Sequence, residues 1–153
     1  MLRLSKKADY ALIAMKHLAL RPDQAASSAR EIAEQYDIPV ELMAKVLQRL
    51  AREGLLASHQ GTRGGYHLSR PAADISVADV IQAVDGPLTV TACSTEEENC
   101  EQYSKCSVRD PLWKIKERIL FALQTCSITE LAADPAEPTL ISISRPGILQ
   151  VVR

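Results

Sequence analysis

Aromatic residues are scarce in this 153-residue chain, which holds one Trp, one Phe and four Tyr. Platforms for single-stranded nucleic acid need aromatic faces on which successive bases stack, so that class is disfavoured. Histidine is also thin: His17, His59 and His67 lie far apart, with no nucleophile patterned to pair with any of them. Catalysis is therefore not expected. His17 is expected on a helix surface and His67 on a strand. Long apolar runs are missing too, since none approaches the ~18 residues that cross a bilayer. The opening Met1-Leu-Arg-Leu-Ser-Lys-Lys7 lacks the apolar stretch and cleavage site of a secretory signal. A cytoplasmic protein without a membrane partner is expected.

What is present suits an ordinary globular chain, with 46% hydrophobic and 24% charged residues. That length allows one compact domain and an appended segment. The net charge of −1 conceals an asymmetry. Residues 1–70 carry 11 Lys/Arg against 7 Asp/Glu, and residues 71–153 carry 7 against 12. A basic first half suits phosphate contacts, with other work placed in the second half.

The apolar spacing of Tyr10, Ala11, Ala14, Met15, Leu18 and Ala19 predicts a first helix over residues 6–20, stopped at Arg21-Pro22-Asp23. Ser28-Ala-Arg-Glu31 reads as a capping box opening a second helix, which ends near Asp37. Pro39 fits the first position of a third helix, with Val40, Met43, Val46, Leu47 and Leu50 as its apolar stripe. Gly54 closes that helix. Between Leu55 and Leu68, two apolar ends flank a Gly-rich turn, the signature of a hairpin. Ser76 opens a fourth helix that Gly86-Pro87 ends. Asp110 and Pro111 are expected as N-cap and first residue of a long helix lined by Leu112, Ile115, Ile119, Ala122 and Cys126. Trp113, Leu120 and Phe121 lie elsewhere on that cylinder, so it must bury more than one side, and a homodimer follows. Ser127-Ile-Thr-Glu130 caps a short last helix, and the proline-bearing tail beyond Asp134 is expected to be extended or disordered.

Helix, capped helix, tight turn, helix and hairpin is the order of a winged helix-turn-helix. The fold class expected is mainly α with a small β-hairpin wing, plus a long dimerisation helix. Four regions result: a DNA-binding domain over 1–86, a cysteine-rich loop over 87–109, helices over 110–134 and a tail over 135–153. The third helix would enter the major groove of a double-stranded DNA operator, with the wing against the backbone or minor groove. Glu41, Ala44, Lys45 and Gln48 are the expected base readers. Arg49, Arg52, His59 and Arg63 suit phosphates, as do Ser28 and Arg30 at a helix start. The plain alternative is a solvated helix face. Gly64 and Gly65, with Tyr66 after them and Arg63 before, weigh against it, because glycines let a backbone approach another chain closely.

Cys93, Cys100 and Cys106 are spaced C-x6-C-x5-C. Structural zinc sites pair cysteines two to four residues apart, so zinc fits poorly. Three thiolates on one loop suit an iron–sulfur cluster. Three free thiols, or a redox pair among them, is the other reading. Cys126 reads as a core residue.

The segments Leu4-Ser-Lys-Lys-Ala-Asp-Tyr-Ala-Leu12, Arg30-Glu-Ile-Ala33 and Gly61-x-x-Gly-Gly-Tyr66, with the cysteine loop, resemble the Rrf2 family of winged-helix regulators over residues 1 to about 130. That family includes IscR-type iron–sulfur regulators, NsrR-type nitric-oxide sensors and regulators of SUF iron–sulfur assembly. The resemblance implies that Cys93, Cys100 and Cys106 hold a cluster, although the first interval is one residue longer here than is common in the family. IscR-type relatives place a ligating histidine where Arg109 stands, and a guanidinium cannot ligate. NsrR-type relatives instead supply an aspartate from the partner subunit's first helix, and Asp9 occupies that position. Asp9 also has an ordinary explanation, as a carboxylate favoured near a helix N-terminus. Either [2Fe–2S] or [4Fe–4S] can be held this way, and similarity to assembly regulators favours [2Fe–2S]. The function implied is a dimeric transcription regulator of iron–sulfur assembly genes. Nitric-oxide or thiol sensing on the same fold is the alternative, and a small iron–sulfur carrier is the rival from another class.

Overall fold

The computed structural model describes residues 4–21, 25–61, 64–89, 101 and 103–133. Cys93, Cys100, Arg63 and the tail expected over 135–153 lie outside the described residues.

Six helices and one hairpin are described: α1 (Lys6–Ala19), α2 (Ala29–Gln35), α3 (Val40–Arg52), β1 (Leu56–His59), β2 (Gly65–Leu68), α4 (Val77–Asp85), α5 (Arg109–Thr125) and α6 (Ile128–Ala132). The helical periodicity is expressed as packing. Ala8, Ala11 and Ala14 are fully buried on one face of α1, and such small side chains let neighbouring helices approach closely. Met15, Ile32, Met43, Leu47, Leu50, Val80 and Ile128 complete a core shared by α1, α2, α3, α4 and α6. Burying each of these larger side chains contributes about 1.5–3 kcal/mol.

Local signals set the ends of the elements. Ser5 caps α1 by accepting from the Ala8 amide at 3.1 Å. Ser76 with Asp79, and Ser127 with Glu130, form complete capping boxes on α4 and α6. The box expected at Ser28 is half present: its hydroxyl accepts from the Glu31 amide at 3.1 Å, but the Glu31 carboxylate pairs with Arg21 instead. Pro39 is the N-cap of α3 rather than its first residue. Likewise α5 begins earlier than expected, with Val108 as N-cap and Asp110 and Pro111 inside the first turn. Pro111 is tolerated there because first-turn amides have no intrahelical partner.

β1 pairs antiparallel with β2 in the register Leu56↔Leu68, Ala57↔His67, Ser58↔Tyr66 and His59↔Gly65. The hairpin is tied to the helices through Ser27, which exchanges backbone hydrogen bonds with Tyr66 at 2.8 and 3.0 Å. This contact explains Gly65. A Cβ there would lie 2.5 Å from the Ser27 carbonyl, closer than any side chain can sit.

His17 corrects the sequence reading. It is buried, not on the helix surface. Its Nε2 lies 3.1 Å from Ser27 Oγ and accepts from Arg21 Nε at 3.3 Å, while Nδ1 faces Tyr36 Oη at 3.4 Å. Because Arg21 can only donate, the network assigns the imidazole proton to Nδ1. The helical period that placed His17 ignored Ser27 and Tyr36, which reach it from outside α1. Cys126 is likewise not on a helical stripe. It ends α5 as C-cap and packs half-buried against the core.

Candidate nucleic-acid interface

α3 is the amphipathic centre of the fold. Met43, Val46, Leu47 and Leu50 are buried, while Glu41, Lys45, Gln48, Arg49 and Arg52 are exposed and Ala44 is half-buried. The stripe expected to include Val40 begins one turn later, since Val40 is exposed. α2 precedes α3 through Asp37, which takes a left-handed φ of 52° and makes the sharp turn between them. The helix-turn-helix thus presents the side chains expected to read bases on one outward face.

Other residues expected to contact DNA lie on α2 and on the wing. Ser28 sits at the N-cap of α2 with Arg30 exposed in the first turn. On the wing, His59 is exposed at the end of β1, and Gly64, Gly65, Tyr66 and His67 are half-buried. The His59 and His67 rings approach edge to face, with centroids 6.1 Å apart.

Arg49 is engaged differently from the expectation that it faces phosphate. Its Nε donates to the Ala83 carbonyl of α4 at 2.8 Å, and its guanidinium pairs with Glu53 at 3.2 Å. Beside it opens a groove of about 720 Å³, between the first turn of α1, the exposed face of α3 and the end of α4. Lys6, Lys7, Lys45, Arg49 and Arg52 line it, and no carboxylate among the described residues does. Sequence reasoning does not place Lys6 and Lys7 beside α3. The adjacent lysines on the outer side of α1 are a visible signal, but their position beside α3 is tertiary.

This order of elements, with a cationic outer face on α3, is that of a winged helix-turn-helix. The sequence matches the family described as Rrf2, Iron-dependent Transcriptional regulator, over residues 4–134. The chain belongs to the Rrf2 family. It is 35% identical over 131 residues to the HTH-type transcriptional regulator IscR of Xenorhabdus nematophila, covering 85% of this chain and 79% of that one. Among solved structures it resembles CymR, the global cysteine regulator of B. subtilis. The TM-score there is 0.70 at 26% identity, over 86% of this chain and 97% of that one. It also resembles T. potens IscR, with a TM-score of 0.66 and 27% identity over 85% of each chain. This Rrf2 protein is accordingly a DNA-binding transcription regulator and not an enzyme. Among the described residues, no helix is long and apolar enough to cross a membrane.

Of the expected cluster ligands, two are described. Cys106 is half-buried between a 3-10 turn at Tyr103–Lys105 and the start of α5, in no disulfide among the described residues. Asp9 is exposed in the first turn of α1. Within one chain, no group of three or more metal-ligating side chains is gathered among the described residues. Arg109 donates to the Asp110 carboxylate at 2.7 Å. Burial, and then the nearby Glu130 carboxylate, push the Cys126 thiol up. It stays protonated near neutral pH, which suits packing and not ligation.

Proposed function

We propose that this Rrf2 regulator works as a homodimer that senses iron–sulfur cluster status and controls SUF-type iron–sulfur assembly genes. The observation that carries the reading is where the cysteine segment is attached. It leaves the chain just after α4, whose last turn holds both the recognition helix, through Arg49 and Ala83, and the start of α1. It rejoins the chain at Cys106, two residues before the cap of α5. A segment spliced between the DNA-reading unit and a helix with apolar residues outside is placed to alter both.

The donor chemistry fits the group. Three thiolates, from Cys93, Cys100 and Cys106, suit iron held with inorganic sulfide. Asp9 of the partner subunit would supply the fourth ligand, an oxygen. Of the two cluster types, [2Fe–2S] is favoured by similarity to assembly regulators, and [4Fe–4S] fits the same donors. When bound, the cluster would supply an anchor that oxidants or nitric oxide can remove. The protein's part is to convert that anchor into geometry. Cys93, Cys100 and Cys106, with Asp9 from the other protomer, would hold the cluster, and holding it would set the spacing of the two recognition helices and hence operator affinity.

The dimer reading rests on α5. Trp113, Ile115 and Phe121 are 44%, 45% and 67% exposed, although the helix also packs on α4. Exposed apolar side chains along one helix favour burial against a partner, and a second copy of α5 would bring the same apolar residues to the contact.

Likeness to a global cysteine regulator favours a second reading, in which the same thiols sense redox state directly. Two thiols would then give two electrons and two protons to a peroxide-class oxidant and form a disulfide. Anaerobic purification with iron and sulfide analysis and a visible spectrum separates the readings. The cluster reading predicts stoichiometric iron and sulfide with charge-transfer bands, both absent in Asp9→Ala. A colourless protein that takes up no iron after reconstitution would leave thiol sensing in its place.

A further inference from the structure

The groove between α1 and α3 continues the DNA-reading face, and the cations on its walls are not equivalent. Lys6, Lys7, Lys45 and Arg52 are exposed, and none makes an ion pair among the described residues. Arg49 is different, because the Ala83 carbonyl and the Glu53 carboxylate take its donors. A guanidinium already holding a carbonyl on a neighbouring helix gains less from a phosphate, and its removal shifts how α3 sits.

The two walls are also held in register. The last turn of α4 accepts from Arg49 of α3 at Ala83 and from Ser5 of α1 at Asp85, each across 2.8 Å. That arrangement fixes the first turn of α1 alongside the exposed face of α3. A DNA strand at the edge of a major groove occupied by α3 must pass over one flank of that helix, and this flank is cationic without a lining carboxylate.

We propose that the operator's sugar–phosphate backbone runs along this groove, with Lys6 and Lys7 as phosphate contacts and Arg49 as a positioning residue for the recognition helix. The DNA-binding surface then extends beyond the helix-turn-helix and wing onto α1. Phosphate contacts give affinity and register without reading sequence. Their signature is a salt slope, because each neutralised phosphate releases counterions.

The test measures affinity against salt concentration for the full chain, using a labelled duplex of about 30 base pairs selected from a random-sequence pool by the wild-type protein. The double variant Lys6→Gln/Lys7→Gln should flatten the slope of log K against log [salt] by about 0.9 for each phosphate that is no longer neutralised. Arg49→Gln and Arg49→Lys should both weaken binding while keeping the wild-type slope. Both lysines are exposed, so the double variant should fold, and circular dichroism checks that it does. A slope change below about 0.5 in the double lysine variant would overturn the role of α1. A flattening near 0.9 in Arg49→Gln, with wild-type slope in Arg49→Lys, would instead make Arg49 a phosphate ligand.

Discussion

The Ser5 hydroxyl donates to Asp85 across 2.8 Å while accepting from the Ala8 amide at 3.1 Å, so one side chain caps α1 and ties it to the end of α4. Both capacities of the hydroxyl are used. Ser5→Ala should therefore destabilise the protein by at least the ~1 kcal/mol typical of removing an N-cap. Ser5→Asp is the sharper variant. Aspartate caps helices as well as serine does in general, but here its carboxylate would face that of Asp85. Urea denaturation should find Ser5→Asp less stable than wild type, with part of the loss recovered at high salt. An unchanged midpoint would mean that the tie carries no energy.

His17 makes stability depend on pH. Burial, and then the Arg21 charge, lower its pKa from 6.5. The unfolded chain therefore binds a proton more readily than the folded one as pH falls through about 6.5. The stability from neutral His17 is present above that value and declines below it, until the folded-state imidazole protonates too. Denaturation midpoints between pH 8 and about 5 should show this decline, and His17→Asn should flatten it.

Gly65→Ala should loosen the wing. The added Cβ meets the Ser27 carbonyl at 2.5 Å, so either the Ser27–Tyr66 bridge opens or the strand shifts. A cost of about 1–3 kcal/mol is expected, with weaker operator binding. Thermal unfolding and fluorescence anisotropy read the two effects separately.

Phe121→Lys tests the dimer. A charge on the most exposed large apolar residue of α5 should yield monomers in sedimentation velocity and reduce operator affinity. An intact dimer would move the interface elsewhere.

Much of the fold was legible in the sequence because the signals were local. Ser76 and Ser127 mark helix starts, and each forms a capping box with the acidic residue three positions on, Asp79 and Glu130. At Ser28 the same pattern was half right, because Arg21 comes from another segment to take Glu31. His17 failed for a similar reason: its partners, Ser27 and Tyr36, lie outside its own helix. The interface divides in the same way. The exposed residues of α3 follow from periodicity, whereas the commitment of Arg49 to Ala83 and the placing of Lys6 and Lys7 beside α3 arise from how helices pack.

The coupling proposed here is between cluster status and operator affinity. It is tested most directly by titrating one selected operator duplex anaerobically with the apo protein, the reconstituted protein and Cys100→Ala. Reconstituted and apo wild type should differ by about tenfold or more, a coupling near 1.4 kcal/mol, and Cys100→Ala should stay at the apo value while remaining dimeric. Equal affinities for the apo and reconstituted wild-type forms would contradict it.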